Sequence, residues 1–202
     1  DPIIEVSKFL KMKKEKISKY LNEKKYIINI GRLTRQKNQK FLIEGFHEIL
    51  KIDPNLYLII LGEGELENEL KKISSKLNIE NRIFFLGYRE NVFNYLNNAK
   101  CFILTSDWED PGFVLIEAAF SRVPIISSNC PNGPNEILEN GNGGYLFKSN
   151  DQADFICKFK QFINENDKLL KKRKLKVLKK TKNYTCFSHF QNLQKILITT
   201  SR

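Results

Sequence analysis

Histidine, methionine and tryptophan are nearly missing from this chain, at two, one and one in 202 residues. The histidines, His47 and His189, stand far apart, which argues against a zinc site built on imidazoles. Long apolar runs are missing as well. None approaches the roughly 20 residues that a helix needs to cross a bilayer, so no membrane span is expected. The four cysteines (Cys101, Cys130, Cys157, Cys186) are scattered. With no C-x-x-C pair and no recognisable secretory leader, a disulfide framework is not expected, and the expected compartment is reducing and cytosolic. Two glycine signatures are also absent. Neither the dinucleotide fingerprint nor the G-x-x-x-x-G-K-[ST] phosphate loop occurs, which argues against a nicotinamide dehydrogenase and a nucleoside triphosphatase.

Acid is scarce relative to base. Lys and Arg number 34 against 23 Asp and Glu, for a net +11. Such a balance suits anionic partners: phosphates, nucleic acid or an acidic membrane surface. A coding bias toward Lys, Asn and Ile is the plain alternative. With 41% hydrophobic residues in a chain this long, a core can form without disulfides or metal.

Short apolar runs alternate with helix-length polar segments. Residues 1–24 read as a linker or surface helix. Strands are expected at YIINIG (26–31), LYLIILG (56–62), RIFFLG (82–87), CFILTS (101–106), VPIISS (123–128) and GGYLF (143–147). Helices are expected over 39–52, 65–77, 91–99 and within 106–126, and residues 151–200 are helical in character. Unbroken apolar strands separated by helices predict an α/β fold, a Rossmann-like doubly wound parallel sheet with a helical C-terminal tail. Ligands of such sheets bind at the carboxyl ends of the strands, so the residues just beyond each strand are the candidates.

After the first strand, GRLTRQKNQ sets Arg32 and Lys37 where a helix is about to start. Arg forks onto phosphate oxygens and Lys acts as a point charge, so the pair suits a diphosphate; solvated surface cations are the alternative. After the second strand, GEGEL offers two glycines, either for a tight turn or for close approach to a base. After the third, Tyr88 and Arg89 either flank a base or leave Tyr88 packed under its loop. After CFILTS comes SDWEDPGFVLIEAAFSRVPII, which carries Glu109 and Glu117 inside an apolar stretch. Asp110 is the expected helix N-cap with Pro111 at the first helical position. Gly112, Phe113 and Val114 would then present free amides to an anion. Glu117 falls about two turns in, flanked by Leu115, Ile116, Ala118 and Ala119. A carboxylate in that company needs donors: ligand hydroxyls or a neighbouring lysine.

The ordered set NIGRLTRQKN, LIILGEGEL, IFFLGY, the two glutamates eight apart and PNGPNEILENGNGGYLF resembles the C-terminal, donor-binding half of retaining glycosyltransferases of the GT-B fold, family 4. The likeness covers about residues 25–150 well. It implies residues 25–164 as a sugar-nucleotide-binding domain, 165–202 as a helical tail, and an N-terminal acceptor domain for which this chain has no room. Asp1-Pro2 would be the hinge to that half, and the helix around 186–200 would return toward it.

The resemblance implies that Arg32, Lys37 and Glu109 carry catalysis. Arg32 and Lys37 would hold the diphosphate and neutralise the leaving group. Glu117 would bind ribose hydroxyls and Glu109 hydroxyls of the transferred sugar. Gly31 and the backbone of Gly112, Phe113 and Val114 would meet phosphate or sugar, and that of Tyr88 and Arg89 the base. Both carboxylates would accept hydroxyls rather than act as an acid–base pair. The sequence departs from the family pattern at Asp110-Pro111, where many relatives carry Gly-Phe. No metal and no resident cofactor are implied, the sugar nucleotide being a substrate. A UDP-sugar is favoured over a GDP-sugar, for cell-surface polysaccharide or lipopolysaccharide synthesis.

LLKKRKLKVLKKTK (169–182) could place Leu169, Leu170, Leu175 and Leu178 in one apolar stripe opposite Lys171–Lys182. That suits either an anionic membrane surface at the inner face or an ordinary solvated helix. The competing functional class is a basic nucleic-acid-binding α/β module. No recognised RNA or DNA motif supports it, and nucleic acid is not the expected partner.

Overall fold

A computed structural model describes residues 23–110 and 112–200, apart from the side chains at 192 and 196–200. The expected linker over 1–22, the Asp1-Pro2 hinge and the position of Pro111 lie outside the described residues.

Six parallel strands form one sheet: β1 (Tyr26–Ile30), β2 (Tyr57–Leu61), β3 (Ile83–Phe85), β4 (Phe102–Leu104), β5 (Ile125–Ser128) and β6 (Tyr145–Phe147), in the order β3-β2-β1-β4-β5-β6. The helices are α1 (Gln39–Leu50), α2 (Glu67–Lys76), α3 (Phe93–Asn98), α4 (Phe113–Phe120), α5 (Pro134–Ile137), α6 (Gln152–Asn164), α7 (Asp167–Thr181) and α8 (Cys186–Thr200). This is the doubly wound α/β architecture that the apolar runs predicted.

Alternation along each strand splits the core in two. Ile27, Leu58, Ile60, Ile103 and Ile126 face one layer with Phe41 and Phe46 of α1 and Phe155 and Phe159 of α6. Tyr26, Ile28, Ile59, Phe102 and Leu104 face the other with α3, α4, α5 and Val177 of α7. Each fully buried Leu, Ile or Phe stabilises by about 1.5–3 kcal/mol relative to exposure. Gly45 lets α1 and α6 approach: a Cβ there would lie 2.5 Å from the Phe155 ring.

The sheet reverses direction between β1 and β4, and there the pairing is thin. These strands share a single register pair, Ile28 with Phe102. Beyond it the buried Asn29 side chain takes over, donating to the Ile103 carbonyl at 2.8 Å. The chain beyond each of these strands therefore diverges, opening the crevice that such a switch point provides.

Candidate functional site

The loop after β1 is shaped around Lys37. A 3-10 turn (Arg35–Lys37) ends at Asn38, whose backbone is left-handed (φ 48, ψ 46) and whose side chain accepts from the Phe41 amide at 3.3 Å, capping α1. Asn tolerates this conformation and also caps helices, which suits it to the position. The Lys37 stem runs past Gly31, where a Cβ would meet Lys37 Cγ at an ordinary contact distance of 3.4 Å. Lys37 Nζ then reaches both oxygens of Glu109, at 2.7 and 2.8 Å.

Glu109 comes from the loop after β4 and its side chain is 3% exposed. A buried carboxylate requires compensation, which Lys37 and the Ser106 hydroxyl supply. The two loops are laced together around this pair. The Asp107 amide donates to the Gln36 carbonyl at 2.8 Å, Gln36 Nε2 to the Trp108 carbonyl at 2.9 Å, and Thr105 Oγ1 to the Lys37 carbonyl at 3.1 Å. Asn38 Nδ2 donates to Asp107 Oδ1 and to Asn150 Oδ1, and Asn150 Nδ2 to Asp107 Oδ1.

Beside the ion pair lies a cavity of about 460 Å³ at the ends of β1 and β2 and the loop after β3. Gly31, Arg32, Tyr88, Arg89 and Glu117 line it, with Glu63 and Glu90. Five of the ten expected site residues thus share one cavity, and Lys37 with Glu109 forms the adjoining pair. Gly112, Phe113 and Val114 do not line this cavity; they form the start of α4.

Glu117 stands apart electrostatically. Burial pushes its carboxyl from the ordinary 4.5 up to about 7. The lysine partner weighed as one explanation for it is absent: the carboxylate has no ion pair or hydrogen bond among the described residues. Arg32 is exposed, and its guanidinium likewise has no partner among them.

The geometry corrects one expectation and bears on two open alternatives. The N-cap of α4 is Gly112 (φ 78, ψ 43), not Asp110, and the helix begins at Phe113. The positive φ explains a glycine there. The amides of Phe113 and Val114 remain first-turn donors with no acceptor among the described residues, while the Phe113 ring is exposed.

Of the alternatives, the GEGEL glycines pack the loop closely, and Gly62 also lines the cavity. A Cβ on Gly62 (φ +130) would fall 2.0 Å from the Gly31 carbonyl, and one on Gly64 2.4 Å from that of Leu33. Tyr88, for its part, is not packed under its loop; it is 67% exposed. Its peptide groups are engaged, the amide by Glu63 Oε1 at 3.2 Å and the carbonyl by Arg89 Nη1 at 2.9 Å. Glu63, Ser106 and Asn38 were missed as site residues. Only Asn38 had a local signal, a capping residue just ahead of an amphipathic helix.

A switch-point crevice holding a buried ammonium–carboxylate pair, a free guanidinium, open helix-start amides and an unpaired carboxylate is equipped for a ligand with both phosphate and hydroxyls. The chain belongs to the glycosyl transferases group 1 family, which matches residues 11–182. An uncharacterized glycosyltransferase of Methanocaldococcus jannaschii is 42% identical over 140 residues, covering 67% of this chain and 34% of that one. The Escherichia coli UDP-Gal:α-D-GlcNAc-diphosphoundecaprenol α-1,3-galactosyltransferase is 35% identical over 130 residues, covering 63% and 33%. Among solved structures, Staphylococcus aureus TarM, crystallised with fondaparinux, α-GlcNAc-glycerol and UDP, superposes with a TM-score of 0.77 at 26% identity, covering 91% of this chain and 37% of that one. The chain spans about a third of the length of the curated relatives it matches.

Proposed function

We propose that this chain is the donor-binding part of an enzyme that transfers a sugar from a nucleotide diphosphate sugar, with retention, to a glycan or lipid-linked acceptor in cell-surface polysaccharide synthesis. The observation that carries the reading is the convergence of Arg32, the Lys37–Glu109 pair and unpaired Glu117 on one crevice at the β1–β4 switch point. Breaking a sugar–phosphate bond builds negative charge on the departing diphosphate. Arg32, Lys37 and the amides of Phe113 and Val114 are the groups suited to stabilise it. Glu117 accepts ribose hydroxyls, and Glu109, once Lys37 turns to phosphate, those of the transferred sugar. Tyr88 and Arg89 lie at the base.

A UDP-sugar is favoured. The UDP in the TarM crystal and the UDP-galactose in the name of the E. coli relative support that choice. The acceptor half belongs to another part of the protein, and this part alone transfers little. A face of α8 supports that division: Phe187 is 69% exposed and Phe190 58%, with Leu193 in line, an apolar row suited to packing on the other half.

Calorimetric titration with UDP, GDP and ADP, with Glu117→Ala alongside, tests the reading. Saturable binding of one diphosphate, lost in the variant, is expected. Salt-sensitive binding of a short single-stranded RNA, with no response to any diphosphate, would overturn it.

A further inference from the structure

The fifteen residues of α7 carry a run of cations that the donor site does not use. Their placement is not uniform around the helix. The buried side, Val177 and Thr181, packs into the core layer shared with α4. Three of the four cations flanking that side are matched by carboxylates of the protein itself, Arg173 with Glu165 at 2.9 Å, Lys176 with Glu139 at 3.3 Å and Lys180 with Glu136 at 3.6 Å; Lys174, half-buried, is the exception. The opposite side exposes Lys168, Lys171, Lys172, Lys179 and, just past the helix, Lys182. None of these five has a carboxylate within 4 Å among the described residues.

The leucines fall differently from the single stripe that the sequence suggested. Leu170 turns in against the core, whereas Leu169 and Leu175 are 39% and 49% exposed among the unmatched lysines. A shallow depression of about 600 Å³ lies between those leucines and the stems of Lys168, Lys171 and Lys172. Together the leucines and the lysine stems make a small amphipathic face. Like charges on one face repel, and an anionic plane would relieve that repulsion.

We infer that this outward face of α7 docks on an anionic lipid surface, with the lysines on headgroup phosphates and Leu169 and Leu175 at the edge of the acyl region. Amphipathic faces of this composition lie in the interface plane. No helix among the described residues is long and apolar enough to cross a bilayer, so the contact is peripheral. The surroundings follow from the functional reading above, on which this part rests: the E. coli relative's named acceptor is a diphosphoundecaprenol-linked sugar. Single-stranded nucleic acid is the poorer fit. It calls for aromatic platforms along the cationic track, and the outward face of α7 has none. The exposed aromatics lie elsewhere: Tyr88, Trp108 and Phe113 in the crevice loops and at the start of α4, and Phe187 and Phe190 on α8.

The test is co-sedimentation of the 202-residue chain with vesicles of phosphatidylcholine alone or with one-third phosphatidylglycerol, at low and high salt. Binding only to the anionic vesicles, and its loss at high salt, is expected. Each lysine near such a surface contributes about fivefold, so Lys168→Gln, Lys172→Gln and Lys179→Gln together weaken binding about a hundredfold. Leu175→Ser weakens it a few-fold at either salt. An unchanged urea midpoint in the triple variant shows that it folds. Equal binding to both vesicle types, or unchanged binding by the triple variant, overturns the proposal. So does RNA binding with the same lysine dependence and no vesicle binding. The vesicles contain neither donor nor acceptor. Vesicle binding without any diphosphate response would therefore count against the transferase reading alone, and the reverse pattern against this one.

Discussion

Replacing Glu117 with Gln should make the protein more stable and a poorer binder, and both effects can be sized. An acid whose folded value lies above its unfolded value holds its proton more tightly when folded. The contribution of Glu117 to stability is therefore greatest below pH 4.5, falls as pH rises from 4.5 to about 7, and stays low above that. A displacement of this size corresponds to about 3 kcal/mol, an upper bound because the side chain retains some contact with water. Glu117→Gln keeps the shape and removes the charge. Urea denaturation at about pH 8 should show it more stable than the parent by up to about 3 kcal/mol, and the gain should vanish by pH 4.5.

Binding should move oppositely. Hydroxyls donating to an ionised carboxylate make bonds roughly twice as strong as those to an amide oxygen, so the variant should bind donor about 30-fold more weakly, about 2 kcal/mol. The same bonds favour the ionised form, so binding of a UDP-sugar near pH 7 should release a proton, detected by calorimetry in buffers of different ionisation heat. A variant less stable than the parent at both pH values, or unchanged in affinity, would refute the reasoning.

Lys37→Ala leaves the Glu109 carboxylate buried and unpaired, and should lower stability by about 3 kcal/mol in urea denaturation; Lys37→Met with Glu109→Gln should recover most of that. Gly62→Ala drives a methyl into the Gly31 carbonyl at a positive φ and should cost more than about 2 kcal/mol in the same assay, with weaker UDP binding. Asn38→Ala loses the cap, the hydrogen bonds to Asp107 and Asn150 and an easy left-handed residue, about 3 kcal/mol together, whereas Asn38→Gly keeps the conformation and should cost about 1 kcal/mol less. Phe187→Ser with Phe190→Ser should shift the urea midpoint of this chain negligibly, since both rings are exposed, while lowering aggregation measured by light scattering.

The sheet was legible because strands buried on both faces must be apolar throughout. LYLIIL and CFIL could be little else once flanked by helix-length polar segments. The ends of elements were less so. Asp110-Pro111 carries the chemistry of a helix start, yet a left-handed Gly112 sets the N-cap two residues later. The candidate residues could be listed one at a time, since most lie in the loops just beyond a strand, Phe113, Val114 and Glu117 within α4 being the exceptions. Their pairings could not. Lys37 and Glu109 are 72 positions apart, and only the β1–β4 neighbourhood brings them together. Glu63 on the Tyr88 amide depends on a one-residue bridge between Gly62 and Gly87 that no local pattern announces. The sorting of cations on α7 was hidden for the same reason: Glu136, Glu139 and Glu165 come from other segments.

The closed Lys37–Glu109 pair has a consequence for what it ignores. An inorganic phosphate arriving at Lys37 must share the ammonium with Glu109 or strand a carboxylate that is 3% exposed. A neutral sugar arriving at Glu109 must compete with a full positive charge already in place. Either visitor replaces half of an interaction and leaves the other half worse off. A molecule that carries an anion and hydroxyls on one frame replaces both halves in a single event. The Lys37–Glu109 pair is therefore self-satisfied toward either piece alone, and a lone anion meets first the groups left without partners, the Arg32 guanidinium and the amides of Phe113 and Val114.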